Sequence, residues 1–151
     1  MNTVVSFNLW PGRKVAFLAG ALGLFAAVVV QAQPLLIGTV AGYPGKGSAD
    51  GAGSSALFFG PQGVAVDGAG NIYVADTGNH VIRVVTPSGM SSTLAGTVGM
   101  RGSADGVGAN ASFDQPWGIA LDSAGNLYVS DYGSSIIRKV TQAGLDRKSV
   151  V

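Results

Sequence analysis

The sequence predicts an all-β fold built from a repeated antiparallel sheet, and three observations lead to this prediction. The segment 47–89 aligns without a gap with the segment 102–144, and 24 of the 43 aligned positions are identical. Each copy contains short runs rich in Val, Ile and Tyr, separated by Gly, Asn, Asp and Pro, as in strands joined by turns. Runs such as 81–85 are apolar on both faces and therefore need neighbours on both sides. Repeated sheets that cover one another are typical of a β-propeller.

Four strands are predicted in the first copy, at 63–67, 71–76, 81–86 and 91–97. The stretches between them, "GAG", "TGNH" and "PSGM", are so short that neighbouring strands must be antiparallel, which gives a four-stranded meander. The second copy supplies three such strands, and residues 39–42 resemble the end of the outermost strand. We therefore predict a partial β-propeller of about one and three-quarter blades. Its blade strands are expected at 35–42, 61–97 and 116–142.

The first 32 residues have the organisation of a secretory signal peptide. Arg13 and Lys14 precede the uncharged apolar run 15–30, which we expect to be a hydrophobic helix, and Val30 and Ala32 provide a cleavage site. Cleavage after Ala32 would release a chain exported to the periplasm or outside the cell. The alternative is a retained anchor in the inner membrane formed by residues 15–30, although this run is shorter than the roughly 20 residues that span a bilayer.

Residues 146–151 follow the repeat no further, and we interpret them as a non-native tail produced by truncation of the gene. The alternative is a genuine short polar tail. On the first interpretation, residues 33–145 form the propeller fragment, and this fragment lacks the blades that would close a ring.

The composition of the repeat region excludes several classes of partner and cofactor. Between Gln33 and Leu145 the chain carries five basic and seven acidic residues, so it has no cationic excess for nucleic-acid binding. The absence of Cys excludes disulfides and thiolate metal sites. The segments 51–56 and 106–111 fit the dinucleotide-binding pattern G-x-G-x-x-A, but no room follows them for the helix that would bind the pyrophosphate. No cofactor is therefore expected.

The repeated pattern P-x-G-[VI]-A-[VL]-D-x-A-G-N-[IL]-Y-V-x-D-x-G-x-x-x-I-R resembles the NHL repeat, which is named for its Asn-His-Leu signature and occurs in bacterial secreted propellers. The resemblance covers nearly all of residues 35–145. Asn79-His80-Val81 departs from the signature only at its third position, whereas Ser134-Ser135-Ile136 departs at all three. The resemblance implies a propeller that usually has six blades, most of which would be absent from this chain.

Positions at which the two copies differ are the candidates for ligand binding, because variation on a repeated scaffold can make a surface specific. These candidates are Trp117, Asp114 and Tyr132, each of which lies at a strand end or in a connection. An exposed Trp is suited to ligand contact, although aromatic side chains also serve simple packing.

Residues that the two copies share are assigned structural roles. Asp76 and Asp131 each follow a strand and precede a turn containing Gly, so we expect them to shape that turn through bonds to the backbone. Arg83 and Arg138 recur at one strand position and are expected to form ion pairs between blades. His80, the only histidine, is expected to be structural or merely exposed.

These features favour a secreted scaffold that binds a protein, glycan or small-molecule ligand through loops at one end of the ring, without catalysis in this segment. The alternative is part of a metal-dependent propeller enzyme of the gluconolactonase or peptidylglycine-lyase kind, which would hold a metal in its axial channel. The Gly- and Asp-containing loops 46–53 and 101–108 suggest calcium, but each offers one carboxylate. No metal ligand is therefore expected in these loops.

Overall fold

A computed structural model describes residues 4–10, 13–20, 23–27 and 38–148, with side chains described for 38–148. The chain divides into two compact units, Met1–Gly38 and Thr39–Val151.

The first unit contains a three-stranded antiparallel sheet of β1 (Val4–Trp10), β2 (Arg13–Gly20) and β3 (Gly23–Ala27). The structure therefore has strands where the sequence analysis expects a hydrophobic helix. The run 15–30 contains four Val, two Phe and two Gly, which favour strands or weaken a helix, beside five Ala and three Leu, which favour a helix. Among the described residues, no helix has the length and apolar character needed to cross a membrane. The expected cleavage site after Ala32 lies outside the described residues.

The second unit consists of two antiparallel sheets, which confirms the all-β prediction. The first sheet contains β4 (Gly51–Ala52), β5 (Pro61–Val66), β6 (Ile72–Asp76), β7 (Val81–Val85) and β8 (Met90–Ala95), in the order β4-β8-β7-β6-β5. The four long strands lie within two residues of their predicted bounds. They form the expected meander because each pair of neighbours is joined by a tight turn.

The second sheet repeats this arrangement one copy further along the chain. It contains β9 (Gly106–Val107), β10 (Pro116–Leu121), β11 (Leu127–Asp131), β12 (Ile136–Val140) and β13 (Leu145–Lys148), in the order β10-β11-β12-β13-β9.

Two features of these sheets differ from the prediction of four strands in the first and three in the second. The Gly-rich segments, expected only to connect sheets, each return a two-residue strand, β4 or β9, to the outer edge. Leu145–Lys148 pairs with β12 although its sequence departs from the repeat. The added strands β4, β9 and β13 have one cause. The hydrogen bonds between neighbouring strands join backbone groups, so segments with many different side chains can pair at a sheet edge.

Residues 38–42, the described part of the predicted outer strand 35–42, contain no strand, but Gly42 lies against the first sheet. The Gly42 N–H donates to the Gly53 carbonyl at 3.0 Å, just as the Gly96 N–H at the end of β8 donates to the Gly108 carbonyl at 3.0 Å. The segment therefore occupies the position that the end of β8 occupies on the second sheet.

The hydrophobic core lies between the two sheets. The face of the first sheet that carries Tyr73, Ala75 and Ile82 packs against the face of the second that carries Phe113 and Val129. We call the first of these a leading face and the second a trailing face. The second sheet also has a leading face, which carries Tyr128 and Ser130, with Tyr132 at its rim. The first sheet also has a trailing face, which carries Phe58, Val64 and Val66.

Glycine allows the inner strands β5 and β10 to approach closely. A Cβ placed at Gly63 would lie 2.3 Å from the Trp117 carbonyl oxygen, a distance that no real side chain could occupy. Gly63 is therefore needed for this packing.

Candidate functional site

The candidate ligand residues lie at the end of the sheets where β6 leads into β7 and β11 leads into β12. Trp117 is the second residue of β10, and Tyr132 directly follows β11. Because β10 and β11 are antiparallel, with Pro116 opposite Asp131, the start of one strand lies beside the end of the other. The fold thereby brings together two aromatic side chains that are 15 positions apart in sequence.

Trp117 and Tyr132 form an exposed aromatic pair. Their ring centroids are 5.6 Å apart at an interplanar angle of 51°. Trp117 is 48% exposed and Tyr132 is 66% exposed. The two rings line a groove of about 590 Å³ together with the hydroxyls of Ser130 and Ser135 and the side chain of Ile136. Ile137 and the almost fully buried Asp131 also line this groove. The groove therefore offers flat apolar surface beside hydroxyl groups and one buried carboxyl group.

Asp114, the third candidate, is placed at the junction between the two sheets. Its Oδ1 lies 3.7 Å from His80 Nδ1 and 3.8 Å from Arg101 Nε. This oxygen is buried and accepts no hydrogen bond within the described part of the chain. The structure thus groups Trp117 with Tyr132 and places the Asp114 side chain beside His80 and Arg101.

His80 is a buried contact between the sheets. It is 6% exposed and adopts a left-handed backbone conformation with φ of 60°. Its Nδ1 accepts a hydrogen bond from the Gln115 backbone N–H at 3.1 Å, and nearby Thr77 donates its hydroxyl to the Pro116 carbonyl at 2.6 Å. Neither bond could be predicted from the sequence, because each joins residues of different copies that lie more than 30 positions apart.

Arg83 is fully buried and forms its ion pairs within its own sheet, not between blades as the sequence analysis expects. Its guanidinium bonds Asp76 at 3.1 Å and Asp50 at 2.7 Å. It also donates to the Ala49 and Leu57 carbonyls, both in the Gly-rich segment. Arg83 therefore fastens this segment to the outside of the sheet, and its guanidinium has no free donor pair for an anionic ligand.

Arg138 occupies the same position in the second sheet but faces more negative charge. It pairs with Asp105, Asp131 and Asp146, whereas Ser91 stands at the counterpart of Asp146 in the first sheet. Asp146 is 1% exposed. Burial, partly opposed by Arg138, raises the pKa of Asp146 to about 6. One guanidinium cannot fully compensate three carboxylates.

Asp76 and Asp131 accept hydrogen bonds from the backbone. The Phe59 N–H donates to Asp76 Oδ1 at 2.8 Å, and the Asp114 N–H donates to Asp131 Oδ1 at 2.8 Å. Each carboxylate therefore holds the end of the Gly-rich segment, and Asp76 also accepts a hydrogen bond from the Asn79 side chain in the turn that follows β6. Burial raises the pKa of both carboxyl groups, although the hydrogen bonds and the neighbouring Arg oppose this shift.

The tight hairpin turns at the opposite end of the sheets rely on Asp67 and Asp122. The Asp67 carboxylate accepts bonds from the Ala69 and Asn71 backbone N–H groups and from the Asn71 side chain. Asp122 repeats these contacts one copy later. Hydrogen bonds from the Asn side chain lower the pKa of each carboxyl group. Both carboxylates are saturated by their own turns, so they serve structure.

Within residues 38–148, no three His, Asp or other acidic side chains come together in a group that could hold a metal ion. The loops 46–53 and 101–108 use their single carboxylates, Asp50 and Asp105, to bind the buried arginines.

Comparisons with known proteins identify the repeated unit. Residues 58–85 and 113–139 match the NHL repeat. Over 95 residues the chain is 38% identical to Protein SUPPRESSOR OF QUENCHING 1, chloroplastic, of Arabidopsis thaliana, covering 62% of this chain and 9% of that protein. It is 36% identical to human NHL repeat-containing protein 2, covering 61% of this chain and 13% of that protein.

A solved structure shares the fold. The crystal structure of an auxiliary nutrient binding protein from Bacteroides thetaiotaomicron VPI-5482 superposes with a TM-score of 0.58 at 23% identity, covering 84% of this chain and 32% of that one. The chain thus spans roughly a tenth of the length of the two curated relatives and a third of the crystallised protein.

Proposed function

We propose that this chain, which carries two NHL repeats, is part of a propeller-type binding protein that contacts its ligand at the end carrying Trp117 and Tyr132. The observation that carries the proposal is the exposed aromatic pair beside a groove of about 590 Å³. Large aromatic side chains are usually covered in a folded protein, and an exposed pair at a concave surface is typical of a binding site.

The comparison of the two repeats supports a role in binding. Trp117 and Tyr132 take the places of Gln62 and Thr77, while the order of the strands in the sheet is the same in both copies. Because the first sheet folds without these aromatic residues, folding does not require them at these positions. Their presence in the second repeat is explained if they contact a partner.

The chemistry of the groove favours a neutral ligand rich in hydroxyl groups, and we therefore propose a glycan. Aromatic faces pack against the C–H surface of a sugar ring, while the hydroxyls of Ser130, Ser135 and Tyr132 match sugar hydroxyls. The groove has no cationic lining residue to select an anion. The name of the similar crystal structure mentions nutrient binding, but that likeness concerns the fold, so the proposal rests on the groove.

The proposal is tested by titrating the full chain with maltohexaose and cellohexaose while following the fluorescence of Trp117, in a Trp10→Phe background that removes the other tryptophan. We expect saturable binding of at least one of them. Trp117→Ala and Tyr132→Ala, followed by calorimetry, should each weaken it by about tenfold or more. Gln62→Ala, the same position in the first repeat, is the matched control and should leave binding unchanged.

Failure of both sugars to bind, with a folded protein shown by circular dichroism, would contradict the glycan assignment. Equal binding by the wild type and by both aromatic variants would place the site elsewhere and contradict the proposal as a whole.

A further inference from the structure

His80 and Asp114 meet at the junction between the two sheets, and neither residue is shared by the two copies of the repeat. Ser135 stands at the counterpart of His80, and Phe59 stands at the counterpart of Asp114. The His80 side chain is buried, and its Nδ1 lies 3.7 Å from Asp114 Oδ1. The pair therefore belongs to this junction and not to the repeated pattern.

The two facing atoms of this pair are both hydrogen-bond acceptors. His80 Nδ1 accepts a hydrogen bond from the Gln115 backbone N–H at 3.1 Å, so the proton of the neutral imidazole is on Nε2. Asp114 Oδ1 is buried and accepts no hydrogen bond from the residues that the structure describes. A buried acceptor without a donor destabilises a fold. The junction therefore lacks one hydrogen-bond donor at this point.

Protonation of His80 would supply this donor. A proton taken up from solvent by Nδ1 turns an acceptor into a donor, and the Asp114 carboxylate is the buried acceptor beside it. The same proton removes the acceptor of the Gln115 N–H, so that hydrogen bond must break. One bond is thus exchanged for another, and the new bond joins two opposite charges.

Gln115 is the residue that this exchange releases, and its backbone conformation is strained. Its φ is 57°, whereas Gly60 stands at its counterpart with a φ of 59°. Glycine adopts this left-handed conformation readily, but residues with a side chain do so at a cost and only where their surroundings hold them. The hydrogen bond to His80 is one of the contacts that hold Gln115 in this conformation.

The other side of the Gln115 peptide contacts the aromatic pair. The Tyr132 N–H donates to the Gln115 carbonyl at 3.2 Å, and Trp117 follows Gln115 by two positions. The carbonyl of the intervening Pro116 accepts the Thr77 hydroxyl at 2.6 Å, and this bond involves no titrating group. A change of the Gln115 backbone would therefore reach Tyr132 and Trp117 while the two sheets stay joined.

The charged groups around His80 come from several elements. Asp114 lies in the segment that leads into β10, and Arg101, in the loop after β8, lies 3.8 Å from Asp114 Oδ1. Asp131, at the end of β11, accepts the Asp114 backbone N–H, and Asp76, at the end of β6, is bonded within its own sheet. Of these groups, Asp114 is the one within ion-pair distance of His80.

We propose that His80 and Asp114 form a pH-sensitive switch that controls the backbone of Gln115 and, through it, the positions of Trp117 and Tyr132. Near neutral pH, His80 accepts the Gln115 N–H and holds the left-handed conformation. In acid, His80 donates to Asp114 and releases Gln115. The response is expected in the range of about pH 5 to 8, over which histidine side chains change charge.

The first test follows the Gln115 amide by NMR in the full chain labelled with 15N-glutamine, which labels only five residues. Gln115→Gly identifies its signal. We expect this signal to shift as the pH falls from about 8 to about 5. The fluorescence of Trp117, in the Trp10→Phe background, should change with the same midpoint. Gln142, which lies beside Gly125 at the opposite end of the sheet, is the internal control and should not respond.

Three variants separate the switch from other effects of pH. His80→Asn introduces a side chain that does not titrate and tolerates the left-handed conformation, and it should abolish the response. Asp114→Asn keeps the shape of the side chain but removes the charge that stabilises protonated His80, so the midpoint should fall by about 0.5 pH or more. Asp146→Ser removes another group whose pKa, about 6, lies in this range, and it is the control that should leave the midpoint unchanged.

A Gln115 amide that does not shift over this range, or an equal response in His80→Asn, would overturn the proposal. So would a midpoint in Asp114→Asn that equals or exceeds that of the wild type. If circular dichroism shows that His80→Asn does not fold, the comparison of Asp114→Asn with the wild type decides. No sugar is present in these measurements, so failure of the proposed glycan binding would leave their results unchanged.

Discussion

At the scale of single residues, the clearest contrast is between the surroundings of Arg83 and Arg138. Arg83 faces two carboxylates and the Ser91 hydroxyl, whereas Arg138 faces three carboxylates. The second cluster therefore buries one more negative charge without one more positive charge. Buried charge that lacks compensation destabilises a fold, so the two sheets are not equally stable at this position.

This contrast gives a prediction about pH. The pKa of Asp146 is raised from 3.8 to about 6 in the folded protein, so the folded state binds a proton more tightly than the unfolded state. Asp146 therefore contributes stability that is fully present below its unfolded pKa and is lost as the pH rises through about 6. Between pH 8 and pH 5, acidification should stabilise the wild type.

Asp146→Ser, which restores the residue found in the first sheet, should raise the free energy of unfolding at pH 8 by about 1 to 3 kcal/mol. It should also flatten the dependence on pH between 8 and 5. Urea unfolding at several pH values measures both effects, with Ser91→Ala as the control at the matched position. A steeper dependence on pH in the variant would show that the Asp146 carboxylate is better compensated than its surroundings indicate.

At the level of residues, the sequence alone identified positions at which the two repeats differ, and the role of these positions in ligand binding stays a prediction. The exposed Trp117 and Tyr132 could be picked out because they interrupt a repeated pattern at strand ends. The roles of His80 and Arg83 could not, since several of their partners lie 26 to 35 positions away in other elements. Whether His80 and Arg83 come within hydrogen-bonding distance of these partners depends on how the loops pack on the sheets, and this packing could not be predicted from a single sequence.

At the scale of elements, the positions of strands β5 to β8 could be predicted from the sequence, because runs of residues that favour strands alternate with turn residues. The short strands β4 and β9 could not be predicted, because Gly51–Ala52 and Gly106–Val107 are two-residue strands that begin with Gly inside Gly-rich segments. The buried arginines help to hold these segments against the sheet, since Arg83 donates to the Ala49 carbonyl and Arg138 to the Ala104 carbonyl.

The inner strands give an element-level prediction with a matched pair of glycines. Gly63→Ala should destabilise the fold by about 1 to 3 kcal/mol, because the new methyl group would collide with the β10 backbone. Gly118→Ala should cost less than about 1 kcal/mol, because only the Ser130 hydroxyl would have to move. Chemical unfolding at low protein concentration compares the two. Equal costs would mean that β5 and β10 are not closely packed in solution.

At the scale of the whole molecule, the repeat in the sequence was sufficient to predict two similar sheets with a shared core. The 24 identities between the copies fall on turns, on the buried Arg and Asp residues and on core positions. What the repeat could not show is which sheet faces would be covered, because equivalent positions such as Val64 and Ile119 have different neighbours. Exposure at these positions depends on the sheets packed beside them and not on the repeat alone.

The residues that precede the first repeat predict that the whole chain is exported from the cytoplasm. A basic pair, an uncharged apolar run and Val30-Gln31-Ala32 follow one another as in a secretory signal. Expressed in a bacterium, the chain should be recovered in a soluble periplasmic or extracellular form that begins at Gln33, as N-terminal sequencing would show. Ala32→Arg should block cleavage, because the peptidase requires a small residue there, whereas Gln31→Arg is the matched control. A protein that retains Met1 and is extracted only by detergent would instead establish residues 15–30 as an anchor.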